Sequence, residues 1–129
     1  MLCGLGIDLV EEDRIRRLRN RYGERFLRRF FTEEEVAYAF KKSSPDRSLA
    51  AAFAVKEAFG KALGTGVSGF GFKEVSLVRD PIAGKPEVRL YGQAEALFRK
   101  KANRLWVSVT HEAGLAVAVV VLEKISDFP

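Results

Sequence analysis

Cysteine and histidine are almost missing from this chain of 129 residues, which holds one of each, Cys3 and His111. A lone cysteine closes no internal disulfide, and with the single histidine so far along the chain there is no zinc-ligand spacing. A reducing, cytoplasmic setting is the natural expectation. Long apolar runs are missing too: no stretch approaches the ~20 residues of a membrane span. The start, Met1-Leu2-Cys3-Gly4-Leu5-Gly6-Ile7-Asp8, has neither a basic leader nor a cleavable apolar run, so nothing marks it for export. There is no repeat, no linker and no G-x-S-x-G elbow, which removes the usual Ser-His-Asp hydrolase. What remains is 47% hydrophobic and 30% charged, with ten phenylalanines. That is too apolar for a disordered chain and too evenly charged for a membrane protein. The length has room for one core, so a single domain is expected over residues 1–129.

Acidic residues are in deficit. Lys and Arg number 22 against 17 Asp and Glu, a formal charge of +5. This favours an anionic partner without choosing among nucleic acid, a phosphorylated small molecule and an acidic protein. The excess is local, because Arg14, Arg16, Arg17, Arg19, Arg21, Arg25, Arg28 and Arg29 fall within one short segment.

The apolar run Leu2 to Val10 reads as a buried strand that delivers Asp8 to its C-terminal edge, followed by a helix start. Ile15, Leu18 and Tyr22 recur at helical spacing among the arginines, and Phe26, Leu27, Phe30 and Phe31 continue the amphipathic pattern past Gly23. Thr32 with Glu33, Glu34 and Glu35 has capping-box form and opens a short helix. Asp46 is expected to cap a central helix from Arg47 to Leu63. A glycine-rich loop from Gly64 to Phe72 leads to a hairpin, an amphipathic helix follows from Gly92, and Leu105 to Thr110 and Leu115 to Leu122 form a second hairpin. The order β-α-α-α-β-β-α-β-β indicates an α+β domain with helices on one side of an antiparallel sheet. Val117 to Val121 is apolar on both faces, which means either a central strand or one packed against another subunit.

Three places could carry chemistry. Gly64-Thr65-Gly66-Val67-Ser68-Gly69 spells the G-x-G-x-x-G dinucleotide fingerprint, but a helix precedes the glycines and a strand follows them, the reverse of what that motif needs. The loop is therefore a helix C-cap, or a place where backbone can approach a ligand closely. In the central helix, Lys56 projects onto the apolar stripe with Phe53 and Gly60, and Glu57 and Lys61 lie at its margin one turn apart. Glu57 and Lys61 make either an exposed i,i+4 pair or a desolvated acid and lysine kept to hold a metal and neutralise phosphate charge. His111 ends the strand Trp106 to Thr110, where alternation puts Ser108 and Thr110 on one face and Val107, Val109 and His111 on the other until the turn redirects the ring. Asp8, Glu57 and Lys61 suit hard-metal and phosphate chemistry, since Mg²⁺ is commonly held by two carboxylates and substrate phosphates. A non-catalytic module that lays the arginine helix on nucleic acid is the rival, but it lacks a binding motif, has few exposed aromatics for stacking, and leaves Asp8, Glu57 and Lys61 unused.

Taken together, Gly4-Leu5-Gly6-Ile7-Asp8-Leu9, Arg25-Phe26-Leu27, Phe31-Thr32-Glu33-Glu34-Glu35, Lys56-Glu57-Ala58 with Lys61, Gly64-Thr65-Gly66, Gly84-Lys85-Pro86 and Ser108-Val109-Thr110-His111 resemble the holo-[acyl-carrier-protein] synthase family. These are the small, single-domain 4′-phosphopantetheinyl transferases, and the resemblance spans essentially the whole chain. It implies transfer of the phosphopantetheine arm of coenzyme A to a serine of apo acyl carrier protein, with release of adenosine 3′,5′-bisphosphate. It further implies Mg²⁺ on Asp8 and Glu57, and Lys61 on the pyrophosphate. Ser108, Thr110 and His111, with the Gly64 to Gly66 loop, would bind coenzyme A, and Arg14, Arg21 and Arg25 the acidic carrier. It implies as well a homotrimer with sites shared between subunits. In one respect the chain departs from the pattern: many members carry an arginine just before the Phe-Ala of the central helix, where this chain has Ala52. One phosphate or subunit contact is then either absent or supplied by Arg47 or Lys42.

Overall fold

The computed structural model describes residues 1–126, so the last three positions of the expected domain lie outside the described residues. Strand β1 (Leu2–Glu11) leads into three short helices, α1 (Glu12–Tyr22), α2 (Glu24–Phe30) and α3 (Glu33–Phe40), and then into the long α4 (Pro45–Leu63). A single 3₁₀ turn (Phe72–Glu74) opens the hairpin of β2 (Val75–Arg79) and β3 (Pro86–Leu90). Helix α5 (Gly92–Lys101) and the hairpin of β4 (Arg104–Glu112) and β5 (Leu115–Glu123) follow. The α+β class, the antiparallel pairing and the order of elements are as expected. The strands divide into two sheets, a three-stranded one in the order β1-β5-β4 and the separate pair β2-β3.

Period-two alternation decides how α4 meets the sheet. Gly4, Gly6 and Asp8 share the helix side of β1. A Cβ on Gly4 or Gly6 would run into the carbonyl oxygens of Ala62 and Ala58, so bare backbone is what allows α4 to lie directly on the strand. The helix answers with alanines: Ala50, Ala51, Ala54 and Ala58 are fully buried. On β5, Ala116, Ala118, Val120 and Leu122 point the same way and are fully buried, while Val117, Val119 and Val121 alternate onto the far face. Strand β5 is thus the central strand of its sheet. Its far face continues an apolar surface through Leu5, Ile7, Leu9 and Trp106, which remain 69, 57, 54 and 47% exposed. No helix among the described residues is long and apolar enough to cross a membrane.

Local signals set most helix ends. Thr32 accepts from the Glu35 N–H while the Glu35 carboxylate accepts from the Thr32 N–H, the reciprocal cap expected from the sequence. The amphipathic segment expected to run past Gly23 breaks there and restarts at Glu24. Asp46 is not the cap of α4. Ser44 occupies that position and Pro45 opens the helix, where its missing N–H costs nothing. This places Asp46 inside the first turn, buried, with Arg19 donating to it through Nε at 2.9 Å and Nη2 at 3.0 Å.

Candidate active site

The end of β1 and the middle of α4 meet at Asp8, Glu57 and Lys61. Lys61 Nζ donates to Asp8 Oδ1 at 3.0 Å and to the carbonyl of Ile7 at 3.0 Å. Lysine and aspartate therefore pair across the two elements, and the i,i+4 pair with Glu57 that spacing left open gives way to this one. Asp8 is largely covered and Lys61 about half exposed, with side chains 17 and 53% accessible. The Glu57 carboxylate, half-buried, makes no hydrogen bond or ion pair with any described residue. Burial pushes its carboxyl above the usual range and the nearby charge of Asp8 adds to this, against the opposing pull of Lys61 and Arg14. Two carboxylates close enough to feel one another, with one lacking a partner, are a donor set suited to a cation. No third carboxylate, histidine or cysteine joins them among the described residues. That suits Mg²⁺, which is commonly held by one or two carboxylates with water and substrate phosphate completing its shell.

Glu57 also lines a cleft of about 620 Å³ between α1, α2, α4 and the 3₁₀ turn. Its aromatic part is built by Phe26, Phe30, Phe53 and Phe72, with the Phe72 ring stacked on Phe53 at 5.4 Å and edge-on to Phe30 at 4.9 Å. Arg14, Arg25 and Arg29 line it as well. The arginine cluster sorts into two groups. Arg16 and Arg17 are taken up by Asp13, Arg19 by Asp46 and Arg28 by Glu24. Arg14, Arg21, Arg25 and Arg29 form no ion pair with any described residue, and three of these four line the cleft. Arg21 lies over the ring of Tyr22, itself a cleft residue. Arg29, Phe30 and Phe72 were not singled out from the sequence as site residues. The spacing of Arg25 and Arg29, one helical turn apart on α2, could have pointed to Arg29, whereas the contribution of Phe72 depends on how the 3₁₀ turn packs.

The remaining candidates lie elsewhere in the chain. The amides of Gly64, Thr65 and Gly66 all donate to the Gly60 carbonyl, so these N–H groups are already engaged. A side chain on Gly60 would collide with Gly66, which shows how closely the loop folds back on α4. What Gly64 and Gly66 offer a ligand is backbone without a side chain, rather than free amides. On β4 the alternation holds to the end of the strand, and the turn does not redirect the His111 ring. Ser108 and Thr110 point to the exposed far face, and His111 to the helix side. Its Nδ1 is buried without a hydrogen-bond partner among the described residues. Burial pulls the His111 pKa down, as do Arg47 and Arg79, while Glu12 pulls it up. The charge of Arg47 is thus felt at His111, whereas Lys42 sits over the Tyr38 ring at 4.9 Å. Ala52 itself is buried at 3%.

Comparison with known proteins decides the family. Residues 4–120 match the 4′-phosphopantetheinyl transferase superfamily, a span that includes each of the candidate residues above. The chain belongs to that superfamily. It is 43% identical over 125 residues to the holo-[acyl-carrier-protein] synthase of Treponema denticola, covering 95% of this chain and 99% of the relative. To the Chlamydia trachomatis enzyme of the same name it is 45% identical over 124 residues, covering 95% of this chain and all of the relative. The crystal structure of the Neisseria meningitidis holo-[acyl-carrier-protein] synthase superposes with a TM-score of 0.84 at 37% identity, over 96% of this chain and 100% of that one. The Helicobacter pylori enzyme in complex with coenzyme A superposes with a TM-score of 0.81 at 32% identity, over 92% and 99% of the two chains. This chain is accordingly a phosphopantetheinyl transferase, and Asp8, Glu57 and Lys61 lie together at the edge of its aromatic cleft.

Proposed function

We propose that this transferase moves the 4′-phosphopantetheine group of coenzyme A to a serine hydroxyl of apo acyl carrier protein, in the cytoplasm, releasing adenosine 3′,5′-bisphosphate. The observation that carries this reading is the meeting of Asp8, Glu57 and Lys61 beside a cleft whose unpaired arginines suit an acidic partner. The serine oxygen attacks the phosphorus that bears pantetheine, the bridging P–O bond breaks, and the electron pair leaves with the adenosine bisphosphate. Asp8 and Glu57 would hold Mg²⁺, which supplies charge neutralisation at the pyrophosphate when bound. Glu57, whose carboxylate no described side chain engages, takes the serine proton directly or through an intervening water. Lys61 is exposed enough to turn from Asp8 to the leaving phosphate and stabilise its charge.

Arg14, Arg21 and Arg25 steer and seat the acidic carrier, since complementary charge chiefly sets encounter rate and register. Gly64 and Gly66 give coenzyme A a close approach to backbone. Ser108, Thr110 and His111 serve its nucleotide end. Within one chain these three leave opposite faces of β4, an edge strand of the sheet. A homotrimer in which the sheet face of one copy completes the site of the next brings both sets to use, and it covers the apolar surface of Leu5, Ile7 and Leu9.

The test is a mass measurement: protein, coenzyme A, Mg²⁺ and an apo carrier are incubated, and the carrier should gain one phosphopantetheine. An unmodified carrier, or an undiminished rate in Glu57→Gln, would overturn the reading.

A further inference from the structure

Among the described residues Lys56 is the one ammonium group in the core, with its side chain 0% exposed, and the chemistry proposed above makes no use of it. Its Nζ donates to both oxygens of Glu35, at 2.8 and 3.0 Å, to the carbonyl of Phe72 at 2.9 Å and to the carbonyl of Val75. Glu35 is equally saturated, since it also accepts from the Thr32 N–H at 2.9 Å and the Leu77 N–H at 2.8 Å. Stability does not explain such a pair, because replacing a buried ion pair by apolar side chains of similar volume is often neutral or stabilising. Its contacts do suggest a use. The two carbonyls that Lys56 holds belong to the first residue of the Phe72–Glu74 turn and to the residue just after it, and the turn carries the Phe72 ring into the cleft. That ring stacks on Phe53, three residues before Lys56 on the same helix, and Glu57 follows immediately.

We infer that the buried pair of Lys56 and Glu35 is a positioning device for the cleft, fixing the Phe72 wall against α4 and so setting where a docked carrier lies relative to Glu57. Lys56 does not touch the reacting groups and acts through Phe72. The inference rests on the reading of the cleft as the carrier's docking site.

The double variant Glu35→Leu with Lys56→Met removes both charges together and leaves no uncompensated ion in the core; it also takes the side-chain partners from the Thr32 and Leu77 amides and the Phe72 and Val75 carbonyls, so its melting temperature should fall while it stays folded. Its carrier KM should rise about ten-fold, the scale of losing one well-packed interface contact, with coenzyme A KM unchanged. In a Phe72→Ala background the same double change should add nothing further, because the wall it positions is already gone. Glu35→Gln combined with Lys56→Met is the milder companion, keeping one acceptor oxygen for the Thr32 or Leu77 amide and leaving no uncompensated charge, and should show a smaller shift of the same kind. A folded double variant with an ordinary carrier KM, or effects that simply add to Phe72→Ala, would overturn the inference. If the variant with Glu35→Leu does not fold, the cycle of Glu35→Gln with Lys56→Met against Phe72→Ala decides by the same criterion. Failure of the unaltered protein to load any carrier would count instead against the proposed reaction.

Discussion

Two residues of α4, one position apart, have opposite fates. Lys56 is enclosed by protein acceptors, whereas the Glu57 carboxylate has no protein partner among the described residues. A half-buried acid is costly to leave unpaired, and its neighbour Asp8 pushes it further from the ionised state. Glu57→Gln keeps the shape and removes the base, so kcat should fall by about 10²–10⁴, the usual contribution of a positioned general base. A carrier mass-shift assay under single-turnover conditions reads this directly, and a loss confined to KM would place Glu57 in binding alone. The arginines provide a second comparison at this scale. Arg14 has no ion pair and lies over the Phe53 ring at 5.6 Å, while Arg17 is held by Asp13 at 2.8 Å. Arg14→Ala should therefore raise the carrier KM by about ten-fold and Arg17→Ala by less than about two-fold, exposed, internally paired charges being worth little. Equal effects of the two substitutions would show that general basicity, and not the cleft, recruits the carrier.

At the scale of elements, what could be read from the chain is what lies close along it. The Thr32 cap, the hairpin turns and the apolar stripe of α4 need only neighbours within a few residues, and the structure has them. Helical projection put Lys56 in the core, but its partner Glu35 is 21 residues away, and spacing alone could not supply it. Asp46 was misplaced for a related reason: Asp is a good cap, but Pro45 takes the first helical position and a long-range partner, Arg19, claims the carboxylate. That the amides of Gly64, Thr65 and Gly66 all turn back onto the Gly60 carbonyl depends on how the loop folds, which the glycine spacing does not state. Glu74 shows the same limit and leads to a prediction. Tyr91, at the start of α5, provides no side-chain cap. Glu74 does it from 19 residues upstream, accepting from Gln93 N–H at 3.1 Å and Ala94 N–H at 3.3 Å as well as from Gly71 N–H at 3.0 Å. Foremost the Gly71 bond, and then those to Gln93 and Ala94, hold its carboxyl below the ordinary value. With the folded value depressed, the stabilisation is full above the ordinary glutamate pKa of about 4.3 and is lost as pH falls through the lower folded value. Glu74→Ala should cost about 1 kcal/mol at neutral pH, the typical effect of losing a helix cap. The melting temperatures of variant and parent should converge as the pH is lowered through that window, and a difference independent of pH would show that packing, not the charge, is responsible.

At the scale of the whole molecule, a face of the sheet rather than a cleft is unaccounted for. Leu5, Ile7 and Leu9 stand more than half exposed in a row on β1, beside the outward valines of β5 and Trp106 of β4. Large contiguous apolar surface is rare on monomers. On the same face lie Ser108 and Thr110, which one chain alone does not bring to Asp8 and Glu57. If copies associate through this face and share sites, the groups from α4 and those from β4 act from different subunits. Ile7→Glu should then give a folded monomer on size-exclusion chromatography with little transfer activity. Complementation is the sharper measurement. Glu57→Gln and His111→Ala are each expected to be poor enzymes as homo-oligomers, but in a mixed oligomer an intact Glu57 from one variant can face an intact His111 from the other. Random mixing in equal amounts restores about a quarter of the sites if each uses one residue from each of two neighbours. If both residues served one site within a single chain, every site would keep one defect and mixing would restore nothing. Activity that appears only after the two variants are dissociated together and reassembled therefore places the reaction between subunits, and its absence in a confirmed mixed oligomer places it within one.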